Sequence, residues 1–478
     1  MEIYRFRTTY GLLDGHNELE KQEIYFASPD ELNDPMEGFR DIFWKGDDIL
    51  WRNLLKNYLF CLEHIYLLTI IAAEQIKVGA KDIPLFNYPI TNYPSHRLAI
   101  TGKVRKRFFE RPAMNDLPAQ LANRQNAIRH NELLSHLMFV HQFAIKTIED
   151  IYLEEGMIMK RVFLLDEETL DETALKAGNL AAIYNQLEAE NDEKVDKLEI
   201  FFQVANGIRQ GYTLSSFAAS APQNLFSNTM FIINDFDEAF INKLETLIYP
   251  DWYSASFLTN CKNSAIWGYY GDYHKGVCLI YQPQETNGVP SLDIRTETGY
   301  NTSGPTIGFQ TLTFRKVNYD HQHIEIDFFR SLGRSPAEFL ESTWYRGENG
   351  ELSPYGSHLQ DITDEWRKNY WDNFQNSLTI KIKEWEYEQE YRLTIAGFLI
   401  DYSEKDKRKL EYKFEDLKGI IFGIKTSPLD KMKIITIIKE KCRQANRKDF
   451  EFYQAYYSRA TRQIERQQLS LIDFNSNN

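Results

Sequence analysis

Two hydrophobic rhythms alternate along this chain. At its start, Ile3-Tyr4-Arg5-Phe6-Arg7 and Glu23-Ile24-Tyr25-Phe26-Ala27 are short runs rich in aromatic and β-branched residues, the pattern of strands. A turn around Gly11 to Gly15 separates them, and Ser28-Pro29 closes the second. The segment Leu32-Asn33-Asp34-Pro35-Met36-Glu37-Gly38 is dense in residues that bond their own backbone or fix φ, so it predicts a rigid turn. From about residue 50 the period lengthens. Trp51, Leu54, Leu55, Tyr58, Leu62, Ile65 and Tyr66 recur at helical spacing, as do Leu133, Leu137, Val140, Ala144, Ile148 and Ile151, and later Leu198, Phe201, Phe202, Ala205 and Ile208. This block predicts about five to seven helices at ordinary helix and loop lengths.

Strand chemistry returns near Tyr249-Pro250. Trp252 to Leu258 alternates, Ser264 to Tyr270 predicts a short helix, and Val277-Cys278-Leu279-Ile280-Tyr281 reads as a central strand. A loop-rich region, 282–308, leads to a strand at 311–317 and a polar helical stretch at 321–374. Strands at 390–395, 419–423 and 450–457 follow, with an amphipathic helix at 430–442 before the last. Neither end of the chain holds enough strands for an independent sheet. The expectation is therefore α+β: a mixed, mainly antiparallel sheet domain built from 1–48 and 246–478, split by a large all-helical insertion at 49–245.

Composition narrows the classes. Hydrophobic residues at 43% and charged residues at 26% suit a globular chain. A net charge of −14 argues against a protein that coats nucleic acid, which needs a cationic surplus to displace counterions. Cys61, Cys261, Cys278 and Cys442 are scattered, with neither disulfide-framework nor zinc-ribbon spacing. The opening MEIYRFRTTYG lacks the features of a signal peptide, which predicts a cytoplasmic location. Tyr58 to Ala73 is interrupted by Glu63 and His64 and reads as a buried helix, so no membrane partner is expected.

Several chemistries find no support. There is no P-loop, no Gly-x-Gly-x-x-Gly after a strand and no Gly-x-Ser-x-Gly elbow. His136 and His141 are five apart, about 140° around a helix, and read as partly exposed polar residues rather than metal ligands. No metal site is expected. Three clusters remain. Trp385 to Arg392 places Glu386, Glu388 and Glu390 two apart, on one face if the segment is a strand. Such carboxylates are either a charged edge kept soluble or working groups at the mouth of a strand that enters the interior at Leu393. Ser254 and Ser256 likewise share a face, near Trp267, Tyr269 and Tyr270. Arg5 lies mid-strand between Tyr4 and Phe6 and needs either an anionic partner or the surface.

These motifs carry a resemblance. The chain resembles a widespread, mostly bacterial family, a domain of unknown function, in Tyr4-Arg5-Phe6, in Ser28-Pro29 with Leu32-Asn33-Asp34-Pro35-Met36-Glu37, and in Ser256-Phe257. The likeness continues through Trp267, Tyr270, Lys275-Gly276-Val277-Cys278 and Trp385 to Arg392, with Met36 where phenylalanine is usual. It spans about 1 to 45 and 250 to 460 and leaves the helical block outside. The chain is also similar to arginine-class ADP-ribosyltransferases, whose Arg, Ser-x-Ser and Glu-x-Glu order is matched by Arg5, Ser254-Ala255-Ser256 and Glu388-Gln389-Glu390.

That second resemblance implies an ADP-ribosyltransferase-like sheet domain using NAD as substrate. Glu390 would be catalytic, Glu388 would address the acceptor, and Ser256 would orient the carboxylate. Arg5, Tyr4, Ser254, Asn33 and Asp34 would hold the dinucleotide, and Trp267 or Tyr270 would stack on nicotinamide. The implied setting is a bacterial toxin or anti-phage effector, with a protein or nucleic-acid acceptor and room for a protein partner on the helical insertion. Two other readings stay open: a metal-dependent nuclease or phosphodiesterase using Asp34, Glu37, Glu388 and Glu390, and a non-catalytic sensor or interaction module.

Overall fold

In the computed structural model the chain is α+β, with mostly antiparallel sheets, and divides into two compact units. The structure describes residues 1–72, 75–85, 94–161, 168, 170–171, 180–189, 197–219, 228–319, 323–359, 363–397 and 400–470. One unit comprises 1–39, 250–323 and 374–478; the other comprises 40–249 and 324–373.

The first unit is built on an eight-stranded sheet. Its strands are β1 (Ile3–Arg7), β2 (Trp252–Leu258), β3 (Val277–Tyr281), β4 (Arg315–Lys316), β5 (Glu390–Ala396), β6 (Leu417–Phe422), β7 (Glu451–Tyr457) and β8 (Ile464–Gln468). The spatial order is β4-β5-β2-β1-β3-β6-β7-β8, and only β6 and β7 run parallel. The N-terminal strand thus lies between two strands from far along the chain, pairing Tyr4 with Leu258 on one side and with Ile280 on the other. One edge of the sheet is the two-residue β4, with both side chains exposed and basic. A short charged edge of this kind resists pairing with other chains.

Both faces of this sheet are covered. On one, Ile3, Phe257, Leu279, Tyr281, Leu393 and Ile420 pack with Ile434 and Ile438 of the helix Pro428–Gln444. That helix begins with Pro428 at its first turn and Ser427 as N-cap, whose Oγ accepts from the Asp430 amide at 3.1 Å. On the other face, Tyr4, Phe6, Leu258, Cys278 and Ile280 pack on Ile266 and Trp267 of the short helix Ser264–Tyr269. A second sheet adds Glu23–Tyr25, Lys409–Tyr412, Gln284–Thr286, Val289–Asn301 and Gly304–Thr313. Its long hairpin replaces the loop expected at 282–308. Leu292 and Ile294 are buried while Asp293 and Arg295 face outward, a period-2 pattern hidden among Thr, Gly and Asn.

The second unit is mainly helical but also holds a three-stranded sheet: Glu325–Asp327, Asp41–Trp44 and Ile128–Arg129. These strands, two to four residues long, are too short to register as a period in sequence. The all-helical expectation for 49–245 is corrected on that point. So is the assignment of all of 246–478 to the sheet domain, because 324–373 clusters with the helical unit. The helix Asp48–Ala72 is long and apolar enough to cross a membrane, yet 67% of its most apolar window is buried inside the protein, as in a core helix.

His136 and His141 are both buried, which corrects the partly exposed reading. His141 Nε2 faces the Ile232 carbonyl at 2.8 Å, so it carries the proton, and Nδ1 accepts from the Tyr58 hydroxyl at 2.7 Å. Burial holds that imidazole neutral, its pKa down at about 4.

Candidate active site

The site begins with a local departure from the expected strand. Lys383–Glu388 forms a 3₁₀ turn, Gln389 is left-handed with φ of 48°, and β5 starts only at Glu390. Glu386, Glu388 and Glu390 therefore do not stack on one strand face. Glu386 is exposed, while Glu388 and Glu390 are each 1% exposed. What unites the two buried carboxylates is a cation, not the pleat.

That cation is Lys381. Its Nζ donates to Glu388 Oε2 at 2.7 Å, Glu390 Oε2 at 3.2 Å and Asn33 Oδ1 at 3.3 Å, and lies 3.9 Å from Glu37. Arg392 grips Glu390 from the other side in a two-point pair, Nε to Oε1 at 2.8 Å and Nη2 to Oε2 at 3.1 Å. It also pairs with Glu37 and donates to the Leu378 carbonyl at 2.8 Å. The Ser256 hydroxyl, at the same cavity wall, also favours the charged form of Glu390. Burial pushes the Glu390 carboxyl up, but Arg392 and Lys381 outweigh it and hold the pKa at about 2. Burial pushes Glu37 up, against the opposing pull of Arg392. Lys381 loses by burial and gains more from Glu390 and Glu388, so its pKa is raised. Three carboxylates thus share two cations.

The turn that follows the strand Glu23–Tyr25 supports this cluster. Asp34 Oδ1 accepts from the Met36 amide at 2.9 Å, and Oδ2 accepts from the Ile382 amide at 3.2 Å, pinning the turn to the segment that carries Lys381. Asn33 donates to the Tyr270 hydroxyl, which itself donates to Glu388 Oε1 at 2.5 Å. Burial and the Glu388 charge push the Tyr270 pKa up. Above these groups lies a cavity of about 310 Å³, bounded by the rings of Tyr4, Phe6, Tyr269 and Tyr270 and by Asn33, Ser256, Lys381, Glu388 and Glu390.

Of the ten residues given a role in handling NAD, six meet here: Glu390, Glu388, Ser256, Tyr4, Tyr270 and Asn33. Four do not. Arg5 is next to Tyr4 on a strand, so its side chain takes the opposite face. There it donates to the Tyr25 carbonyl at 3.0 Å and lies over the Phe257 ring, and burial lowers its pKa to about 10. Ser254 is buried two residues beyond Ser256, opposite Thr394, outside the cavity wall. Trp267 is fully buried, with its indole N–H on the Cys261 carbonyl at 2.7 Å and its ring edge-on to Phe6. Asp34 has both oxygens on backbone amides.

Sequence reading missed Lys381 and Arg392 as site residues. Each left a signal: Lys381 interrupts the run Thr379-Ile380-Lys381-Ile382, and Arg392 stands two residues from Glu390 on one strand face.

The set Asp34, Glu37, Glu388 and Glu390 is not laid out for a divalent ion. The Lys381 ammonium takes the central place, and among the described residues no group of three or more His, Cys, Asp or Glu side chains is arranged to hold a metal. No protein-family model matches the chain, and no curated protein or solved structure matches it either.

Proposed function

We propose that the cavity cleaves the nicotinamide–ribose bond of NAD and passes the ADP-ribosyl group to water or to a protein or nucleic-acid acceptor. The single observation that carries this reading is the buried Glu390 carboxylate, held ionised at the cavity wall by Arg392 and Lys381 beside Ser256. As the bond breaks, its electron pair leaves with nicotinamide and the ribose becomes cationic. A fixed carboxylate stabilises that state more than the neutral sugar. The surplus of carboxylates over cations adds to the effect, because it acts in a site of low dielectric.

The cavity volume is at the lower end for small-molecule sites, about 300–1,000 Å³. It suits the nicotinamide riboside end of the dinucleotide, with Tyr4, Tyr269 and Tyr270 offering ring faces. Arg5 cannot anchor the phosphates from the opposite face, so they would lie outside the cavity. Glu388, bonded to the Tyr270 hydroxyl, would take the proton of the attacking water or acceptor hydroxyl. In this reading the sheet unit is an ADP-ribosyltransferase-like domain with the helical unit inserted in it, working in the bacterial cytoplasm as a toxin or anti-phage effector.

The test is release of free nicotinamide from NAD by the purified chain, with and without EDTA, alongside Glu390→Gln. Turnover that is indifferent to EDTA and lost in the variant supports the proposal. No release from the parent chain overturns it. A second reading, a binding module without turnover, draws on the saturation of Glu390 by two internal cations, Arg392 and Lys381. It predicts NAD binding without nicotinamide release.

A further inference from the structure

The helical unit contains a larger cavity, about 810 Å³, whose charge runs opposite to that of the whole protein. Its lining includes Arg52, Lys56, Arg105, Lys106 and Arg346 against Glu110 and Glu348, in a chain whose net charge is −14. The cations come from three separate segments. Arg52 and Lys56 are one turn apart on the helix Asp48–Ala72, Arg105 and Lys106 are on Ser95–Glu110, and Arg346 follows the turn Glu341–Tyr345. Convergence of like charge from separate segments is unfavourable unless an anion joins them.

Arg346 already pairs with Glu341 and donates to the Gly350 carbonyl at 2.8 Å, and Arg52 donates to the Asn115 carbonyl at 3.0 Å; the two lysines are the cations poised for exchange. Lys56 is 8% exposed and pairs with Glu348 at 2.9 Å, but the Glu348 side chain is 59% exposed. An entering anion can take its place. Burial lowers the Lys56 pKa, and Arg105 and Arg52 lower it further against the pull of Glu348, so all three cations act on one region. Among the described residues Lys106 has Glu110 as its partner, at 3.9 Å and largely solvated. Asn53, Asn115, Ser342 and Thr343 add neutral polar groups to the wall.

We infer that this cavity binds a small phosphorylated anion, the polyphosphate group of a nucleotide or a free inorganic polyphosphate. Its volume suits a mononucleotide, and several guanidinium and ammonium groups from separate directions suit phosphate oxygens. The site is independent of the NAD reading, because it lies wholly within the other unit.

The experiment is calorimetric titration of the full chain at low salt with ATP, inorganic triphosphate, adenosine and a short single-stranded oligonucleotide. ATP and triphosphate should bind, adenosine should not, and affinity should fall as salt is raised. Tighter binding of ATP than of triphosphate assigns a nucleotide; equal binding assigns the phosphate chain alone. Arg105 and Lys106 are exposed, so the double variant Arg105→Ala with Lys106→Ala should fold. It should weaken binding about tenfold or more, from the loss of two charge-assisted contacts. The inference is overturned if neither ATP nor triphosphate binds, if the double variant binds as the parent does, or if only the oligonucleotide binds.

Discussion

Ser256 stands directly opposite Arg392 in the register of β2 and β5, and both side chains favour the charged form of the same carboxylate, Glu390. A neutral hydroxyl and a cation are thereby brought to one carboxylate by sheet register. The arginine makes the two-point contact and fixes the ionisation state.

Removing Lys381 should be expensive. Lys381→Met leaves Glu388 and Glu390 buried without their shared cation, and breaking a buried pair costs about 3–5 kcal/mol. Urea denaturation at neutral pH measures this. A loss below about 1 kcal/mol would show that water reaches the site freely and that the pairing is incidental.

Tyr270→Phe separates chemistry from packing. The ring that bounds the cavity stays, but the hydroxyl between Asn33 and Glu388 goes. We expect nicotinamide release to fall by about tenfold or more with KM for NAD little changed, since one charge-assisted hydrogen bond is worth about 1.5–3 kcal/mol. A rise in KM with unchanged kcat would place the Tyr270 hydroxyl in ligand binding rather than in holding Glu388.

Acid should weaken the site in a defined window. Glu390 titrates at about 2 in the folded chain against an ordinary 4.5. Its contribution is therefore present above about pH 4.5 and lost as pH falls toward 2. The stability gap between parent and Glu390→Gln should be on the order of 3 kcal/mol at pH 7 and shrink steadily below pH 4.5. A gap that does not change between pH 6 and pH 3 would contradict the ion-pair account.

Arg5 offers a control. Arg5→Met removes a buried cation whose partners are backbone carbonyls and the Phe257 ring, on the face away from the cavity. Stability should drop by about 1–3 kcal/mol, while nicotinamide release per folded molecule stays within about twofold. Abolished turnover in a well-folded variant would restore the phosphate-anchoring role that the resemblance implies.

The strands nearest the site were legible where apolar character was continuous. Ile3–Arg7, Trp252–Leu258 and Val277–Tyr281 match their sequence bounds, and the far-apart pieces do share one sheet. The Glu-x-Glu-x-Glu run misled, because alternating acids mimic a strand while Gln389 breaks it with a positive φ. The placement of Arg5 was recoverable: adjacent residues on a strand face opposite ways, so Tyr4 and Arg5 could not both line one cleft. Ser254 shares a face with Ser256 but sits about 7 Å along the strand, which no periodicity argument resolves. Lys381 escaped because its partners come from three other stretches of chain, 33, 37 and 388–390, and sequence spacing carries no such convergence.

The two-residue β4 has a bearing on how the site breathes. On the sheet's open side β5 has only this short ladder, Arg315 opposite Arg392 and Lys316 opposite Tyr391, both solvated, extended by the Val317 amide on the Glu390 carbonyl at 2.9 Å and the Tyr319 hydroxyl on the Glu390 amide at 2.9 Å. So few ladder bonds should open before the sheet unfolds. The outward amides of β5 should then exchange with deuterium long before those of β3, which is buried along its whole length and paired on both sides. The strand that carries Glu390 is in this sense a latch, able to loosen from one side while its inner neighbour keeps the register.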